Sequence, residues 1–479
     1  MRRLLKYFKE LNQVSKASLA YVLVVLFQQG IRFITAPIFT RLLVPEQYGV
    51  VTTYSAVESV LVAFATLNVW GGVFSVGLFD YTDDRNCFTL STAVLSNIST
   101  VGFFAIILIS WPFLSRFINL PIHLMFLMFG SFLFTPAYKL WVARERYELR
   151  YKAAVIVTIL YSLLSSIGAI VCVLLTAEQK GQARLYGGIS IELAICCIVY
   201  IVIAKKSNFR VKWQYIKKGS VLYIPLIPHY LSQHVLASAD RMMISAMIGN
   251  REAGIYGVTY SVGSLMNIFW TAVNNTIIPL FYEGFRSKNL RMTKKLSDLV
   301  LVTYAAACFF VMLVAPELMA FFAPASYSEG IQLIPPIIGG TFFMGLYCLF
   351  GNVELFYKRT KMVASASFFA AALNVILNYI FIKLFGYGAA AYTTLFTYII
   401  YSLVHYRNMR VIDQNRYYSN RTILLTSGVI LAGAVLCPYM YHYLWLRIII
   451  IAVGIIIAII NRSVLAEFLK LMRKKGDSF

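Results

Sequence analysis

The chain has 479 residues, 59% of them hydrophobic and 13% charged, with a formal charge of +23. A soluble protein carries about 25% charged residues. Too few positions remain here for a solvated surface, so lipid must be the solvent for most of the chain. The basic excess is shared among many loops instead of gathering on one face as in nucleic-acid binders, which excludes a nucleic-acid partner and points to anionic membrane lipid.

Residues 1–16, "MRRLLKYFKELNQVSK", are basic and mildly amphipathic and are expected on the inner membrane surface. They do not read as a cleaved signal, because the apolar run that follows is too long. Apolar windows of about 17–25 residues, enough to span the hydrocarbon core, then recur. They lie at 17–40, 50–77, 89–113, 119–143, 153–176, 184–204, 220–248, 253–281, 297–323, 330–356, 362–384, 387–406, 422–440 and 444–462. Backbone groups in lipid must be satisfied within the segment, so each window is expected to be a helix. The expected fold class is an all-α polytopic membrane protein with about fourteen transmembrane helices. Of the 43 Lys and Arg, 33 fall in segments this count places inside and 6 in outside turns. That asymmetry fits the positive-inside rule with both termini cytoplasmic.

The windows group into a first lobe at 17–204, a basic cytoplasmic linker at 205–219 and a second lobe at 220–407. A basic loop at 408–421, two further helices within 422–462 and a cytoplasmic tail at 463–479 complete the chain. The outer turn between helices 1 and 2, "RLLVPEQYGVVTTYS" (41–55), has an echo in "NREAGIYGVTYSVGS" (250–264). Tyr48-Gly49-Val50 and Tyr256-Gly257-Val258 are separated by about one six-helix block. Each block holds an even number of helices, so the copies share one orientation, and a substrate site is expected between them near the midplane.

"TRLLVPEQYGVV" resembles the opening signature of bacterial polysaccharide exporters, and "ADRMMISAMIGNREAGIYGVTYS" (239–261) resembles the matching segment of that family's second half. Over nearly its whole length the chain is similar to the Wzx-type O-antigen flippases of the multidrug/oligosaccharidyl-lipid/polysaccharide (MOP) exporter superfamily. The resemblance implies transport of an undecaprenyl-diphosphate-linked oligosaccharide across the bacterial inner membrane, serving polysaccharide or lipopolysaccharide biosynthesis. The implied partners are that substrate, membrane lipids, a polysaccharide polymerase and a chain-length regulator.

Such a substrate needs cations for the diphosphate, a polar path for sugars and access for the tail. Arg32 precedes Tyr48 by almost the same interval as Arg241 precedes Tyr256. With a helical rise of about 1.5 Å per residue, both arginines sit at nearly one depth. Both are candidates to grip phosphate oxygens. Alternatively, Arg32 pairs with Glu58 across the helix 1–2 hairpin. Asp240 is not expected to neutralise Arg241, since adjacent helical residues do not face each other. Lys139 is a third cation candidate, or else snorkels to the interface; Arg447, beside Tyr443 and Trp445, reads as an outer-interface anchor. Glu58, Glu192, Asp240 and Glu354 are the carboxylates within spans, either coupling to an ion or lining a wet cavity. Asn274, Asn275, Asn374 and Asn378 could bond sugars or merely join helices. Pro225 and Pro228, with Pro335 and Pro336, are expected to kink their helices as hinges or as static bends. His229 and His234 lack ligand partners at metal spacing, and six of the seven cysteines (Cys172, Cys196, Cys197, Cys308, Cys348, Cys437) lie within spans without zinc or disulfide spacing. No metal or other cofactor is expected.

The chain lacks a G-x-x-x-x-G-K-[ST] loop. The acidic "DYTDDRN" (80–86) stands without the second site that metal-assisted transfer needs, and reads as a solvated loop. A polymerase would resemble a flippase in size but carry a large periplasmic loop, whereas every outside turn here is short. An ion-coupled multidrug or small-molecule exporter of the same superfamily is the stronger alternative; its cavity should favour carboxylates over paired arginines. A passive structural component is disfavoured by the repeated intramembrane charge.

Overall fold

The computed structural model describes residues 13–413 and 417–460, whose regular structure is all helical, without a strand. Most of the expected surface segment 1–16, part of the 408–421 loop and the 463–479 tail lie outside the described residues. The chain is an all-α polytopic membrane protein. Among the described residues, ten helices are long and apolar enough to cross a membrane, and each coincides with an expected window. The windows at 220–248, 253–281, 387–406 and 444–462 fall on helices that are broken, more polar or shorter.

By internal packing the chain divides into two units, residues 1–254 and 255–479. The first holds α1 (Gln13–Leu42), α2 (Pro45–Thr66), α3 (Gly72–Asp80), α4 (Arg85–Leu114) and α5 (Ile122–Tyr147), then α6 (Tyr151–Leu175) and α7 (Lys180–Lys206). It continues through α8 (Trp213–Tyr223), α9 (Ile227–Met247) and the start of α10 (Asn250–Gly263). The turn after α1 is shorter than expected. Val44 is extended (φ −71°, ψ 160°) and Pro45 takes the first helical position, where its missing N–H has no partner to lose. Tyr48 and Gly49 therefore lie inside α2, not in a turn, and Tyr48 is buried.

Lipid tails are as apolar as leucine, so contact between membrane helices rests on close packing and hydrogen bonds instead of transfer from water. More than half of the α2 window is buried, against 17% for α1, because α2 packs on α4, α7 and α9. The basic segment at 205–219 is no bare linker. It contains the start of α8, which lies on α4: Asp84 accepts from Lys212 at 2.5 Å and from the Tyr215 phenol at 2.7 Å, and Tyr215 packs with Tyr81 and Phe88. In the acidic run at 80–86 these contacts tie down Asp84, while Asp80, Thr82 and Asp83 are exposed, as a solvated loop would be.

The second unit continues α10 and adds α11 (Leu265–Arg286), α12 (Leu290–Leu313), α13 (Ala315–Phe322) and α14 (Ile334–Phe356). It ends with α15 (Thr360–Phe385), α16 (Ala389–Ile412), α17 (Asn420–Met440) and α18 (Leu444–Ile460). Its centre is α14, whose span is 83% buried and packs on α11, α12, α16 and α17. Tyr304 of α12 donates to the Thr341 carbonyl of α14 at 3.0 Å and packs on Trp270 of α11. Thr426, Ile430, Gly433, Ala434 and Cys437 of α17 are buried, so α17 belongs to the core of this unit. By contrast, α18 exposes Trp445, Ile448, Ile449, Val453 and Ile456, and its Arg447 is buried. That guanidinium donates to the Leu313 carbonyl and to Glu317, each at 2.8 Å, so it clamps α18 to the α12–α13 corner and is not the interface anchor expected.

The prolines expected as mid-span kinks begin helices instead. Pro225 sits in a 3₁₀ turn, Ile224–Leu226, that separates α8 from α9, and Pro228 is in the first turn of α9. Pro335 and Pro336 are in the first turn of α14, after a 3₁₀ stretch at Ala325–Leu333. A first turn has no intrahelical acceptor for those amides, so proline is accommodated there without bending the helix.

Helices α5, α7, α11 and α14 stop in one manner. Leu149, Asn208, Lys288 and Lys358 each take a left-handed conformation, with φ between 51° and 57°. The next residue's amide then bonds back five positions: Arg150 to Glu145, Phe209 to Ala204, Asn289 to Gly284 and Arg359 to Glu354, at 2.8–3.0 Å. These are Schellman ends, which satisfy carbonyls that a helix terminus leaves open. The interval from Leu149 to Lys358 matches, within one position, the interval between the two Tyr-Gly-Val triplets.

Candidate functional site

Four ionisable side chains of the first unit act on one another within its membrane helices. Glu58 of α2 interacts with Lys139 of α5 and Glu192 of α7, and Arg32 of α1 with Lys139 and Glu192. Glu58, Lys139 and Glu192 are half-buried, and Arg32 is exposed. Aromatic and hydroxyl groups hold the cluster. The Lys139 ammonium lies 3.9 Å from the Trp70 ring centroid, a cation–π contact that keeps it turned into the bundle. The Tyr161 phenol donates to Glu192 at 2.6 Å while its ring stacks on Tyr138, and the Tyr138 and Thr158 hydroxyls meet at 2.9 Å. His234 of α9 joins from the side, with Nδ1 3.2 Å from the Ser59 hydroxyl.

Neither Arg32 nor Lys139 forms a direct ion pair among the described residues, so the alternative pairing of Arg32 with Glu58 is not made. The cations and carboxylates balance in number without contact, an arrangement that leaves guanidinium and ammonium donors available to an anion. Arg241 is placed differently. Its Nε lies 3.4 Å from the Asp240 carboxylate, and its Nη2 donates to the Ala237 carbonyl and, at 3.1 Å, to Ser238. The expectation that Asp240 would not reach Arg241 fails because the short carboxylate folds back: it accepts from the Arg241 backbone amide at 2.8 Å and so stands beside the guanidinium.

In the second unit, Glu354 of α14 is buried against His405 of α16, with Oε1 2.5 Å from Nδ1. His405 escaped the sequence reading; a histidine facing a carboxylate from the neighbouring span was the available signal. Asn374 and Asn378 are fully buried and bonded within the protein. Asn374 donates to Thr394 at 3.1 Å, Asn378 donates to Asn374 at 3.1 Å, and Thr393 donates to Asn378. Of their two open roles the geometry supports joining α15 to α16 over lining a sugar path. Asn274 accepts from Asn352 at 3.4 Å, and Asn275 is exposed. Back in the first unit, where α4 begins and α5 ends, Thr82, Asp83, Arg85, Asn86, Arg144 and Arg150 line a polar hollow of about 440 Å³. Its arginines are spent on Glu145 and Glu148.

An uncharacterised membrane protein of Methanocaldococcus jannaschii is 27% identical over 184 residues, 38% of this chain and 43% of that protein. The chain spans less than half the length of the curated relatives it matches. The fold is similar to that of the lipid II flippase MurJ in an inward closed conformation, with a TM-score of 0.68 at 14% identity over 94% of this chain and 99% of that one. It is also similar to an inward-facing multidrug resistance MATE transporter of the MOP superfamily, with a TM-score of 0.60 at 14% identity over 80% of this chain and 94% of that one. A profile of polysaccharide biosynthesis proteins matches residues 38–331, well over half of the sequence, and the chain belongs to that family.

Proposed function

We propose that the chain is a flippase that carries an undecaprenyl-diphosphate-linked oligosaccharide, an O-antigen or related repeat unit, from the cytoplasmic to the periplasmic face of a bacterial inner membrane by alternating access. The observation that carries this reading is the presence on membrane helices of two cations, exposed Arg32 and half-buried Lys139, that form no direct ion pair among the described residues, in a member of the polysaccharide biosynthesis family. Intramembrane charge is rare and serves substrate or ion pathways by default. A diphosphate supplies the oxygens that a guanidinium fork and an ammonium recognise. Arg32 and Lys139 take the diphosphate in this scheme, with Arg241 a weaker third because Asp240 already stands beside it. Glu58 and Glu192 balance the two cations when no anion is bound, and the polymerase and chain-length regulator would receive the product outside. The multidrug-exporter alternative rests on fold likeness alone.

The test is translocation in cells whose own flippase is deleted, with the chain supplied and its amount in the membrane measured. Arg32→Gln and Lys139→Gln should each lower outer-face lipid-linked oligosaccharide about tenfold or more. Each loses charge-assisted hydrogen bonds of about 1.5–3 kcal/mol, and about 1.4 kcal/mol is tenfold. Arg32→Lys should retain part of the activity. Full translocation by both glutamine forms at equal protein level would overturn the assignment.

A further inference from the structure

We propose that Glu354 and His405 form a proton-binding site inside the second unit, and that proton exchange there drives or gates the transport cycle. The purpose rests on the transport reading above; the chemistry does not.

Four observations carry it. Glu354 and His405 are 0% and 1% exposed, and their Oε1 and Nδ1 atoms meet at 2.5 Å. Neither has another ion pair among the described residues. Their far atoms, Glu354 Oε2 and His405 Nε2, are also buried and have no hydrogen-bond partner among the described residues. A pair kept only to join helices would ordinarily have both ends satisfied, because a half-satisfied buried network is destabilising. The fourth observation is internal to the chain. Glu145 occupies the same place in the α5 ending as Glu354 does in the α14 ending, and both carbonyls accept the Schellman bond. Glu145, also buried, pairs with Arg150 at 3.1 Å. Arginine keeps its charge at any physiological pH, whereas a histidine titrates within it. One copy of the structure has a permanent ion pair where the other has a pair able to gain and lose a proton.

The proton balance is simple. With neutral imidazole and ionised carboxylate the pair carries one negative charge, and Nδ1–H donates to Oε1. One proton from water makes it neutral, as imidazolium with carboxylate or as imidazole with carboxylic acid; its release to water restores the first state. Among the described residues the titratable groups beside the pair include the Tyr347 and Tyr401 phenols and the Cys348 thiol. From α14 Tyr347 stacks on His405, and from α16 Tyr401 meets it edge-on. Ser367 of α15 bonds the Tyr401 phenol at 2.6 Å, Asn274 of α11 meets α14 at Asn352, and the phenol of Tyr418, just before α17, donates to the Leu349 carbonyl at 2.8 Å. From α12 the Tyr304 phenol reaches α14 at Thr341. A route outward begins close by: Tyr357, just after Glu354 at the end of α14, and Tyr417 both donate to Asp413. Asp413 follows α16, about 12 Å along the helix from His405.

The experiment uses the full chain in lipid vesicles, with infrared difference spectra between pH about 5 and about 8, where histidine titrates. The expected result is a carboxyl band and an imidazole band that change together. Glu354→Gln should remove both changes, and His405→Gln should move the carboxyl change by more than one pH unit. Glu354→Asp should restore a coupled change and show that the bundle still folds. In cells, the translocation rate of Glu354→Gln should become independent of external pH, while a purely structural role would lower protein amount and leave the pH profile intact. A difference spectrum that Glu354→Gln leaves unaltered overturns the proposal. Arg32→Gln separates the two readings: it should lower translocation about tenfold or more and keep the coupled bands. If the bands titrate as expected and the wild type moves no lipid-linked oligosaccharide, the transport reading fails and the proton site stands.

Discussion

Gly49 has room for a hydrogen and nothing more. A methyl group there would lie 1.7 Å from the backbone carbonyl oxygen of Asn250, and one on Gly254 would lie 2.0 Å from that of Pro45. The obstacles are backbone, so neither can turn aside, and α2 would have to part from α10. Gly49→Ala and Gly254→Ala should each cost about 1–3 kcal/mol through overpacking, read as a lower melting temperature in detergent and less membrane-inserted protein. Gly30→Ala and Gly102→Ala, where a methyl group meets nothing within 4 Å, should be neutral or stabilising by up to about 1 kcal/mol. Equal effects at all four positions would refute the contact argument. The sequence drew attention to Gly49 for the wrong reason. Its position after Pro45 and Gln47 resembled a turn, while the demand on it is the near approach of Asn250. That residue opens a helix far along the chain, which no local pattern encodes. Arg32 and Lys139 were legible because charge in an apolar window stands out by itself. The Trp70 ring under Lys139, the Tyr161 phenol on Glu192 and His405 beside Glu354 were not, because each depends on which faces of distant helices meet.

Between residues and the whole chain, the apolar windows marked the helices but not their breaks. Prolines at 225, 228, 335 and 336 looked like bends because a window of mean hydropathy runs across a 3₁₀ segment without a signal. The clamp at Arg447 has a direct consequence at this scale. A hydrogen-bonded guanidinium ties the largely exposed α18 to the Leu313 carbonyl and Glu317. Arg447→Gln removes charge-assisted bonds of about 1.5–3 kcal/mol, discounted on the Glu317 side because that carboxylate is half in solvent. The variant should leave α1–α17 folded and expose the loop before α18 to limited proteolysis. Proteolysis at the wild-type rate would show that α18 is held by something other than Arg447.

For the whole molecule, charge distribution and helix endings make one statement about orientation. The connections after Leu149, Asn208, Lys288 and Lys358, where four helices end alike, are also those in which the sequence concentrates lysine and arginine. Single cysteines placed at these four positions should react with a membrane-impermeant maleimide only after the inner face is opened. Cysteines at Phe117, Gln179 and Tyr387 should react in intact cells. Any position labelled from the opposite face would displace the helix count on its C-terminal side. All seven native thiols are free and able to react; Cys87, Cys196, Cys308 and Cys437 are shielded by burial, and half-buried Cys172, Cys197 and Cys348 are replaced by serine in the labelling background.

The packing of α9 on α2 also has a meaning in time. Helix α2 is complete at Thr66, and α9 is complete only at Met247. At about 5–20 residues per second the nascent chain waits on the order of ten to forty seconds with one face of α2 uncovered. During that interval Ser59 lacks His234, and Gly49 lacks the Asn250 backbone against which it fits. Biogenesis of the first unit is therefore not finished when its first six membrane helices are, and the step that closes it is the arrival of the helix after the basic segment.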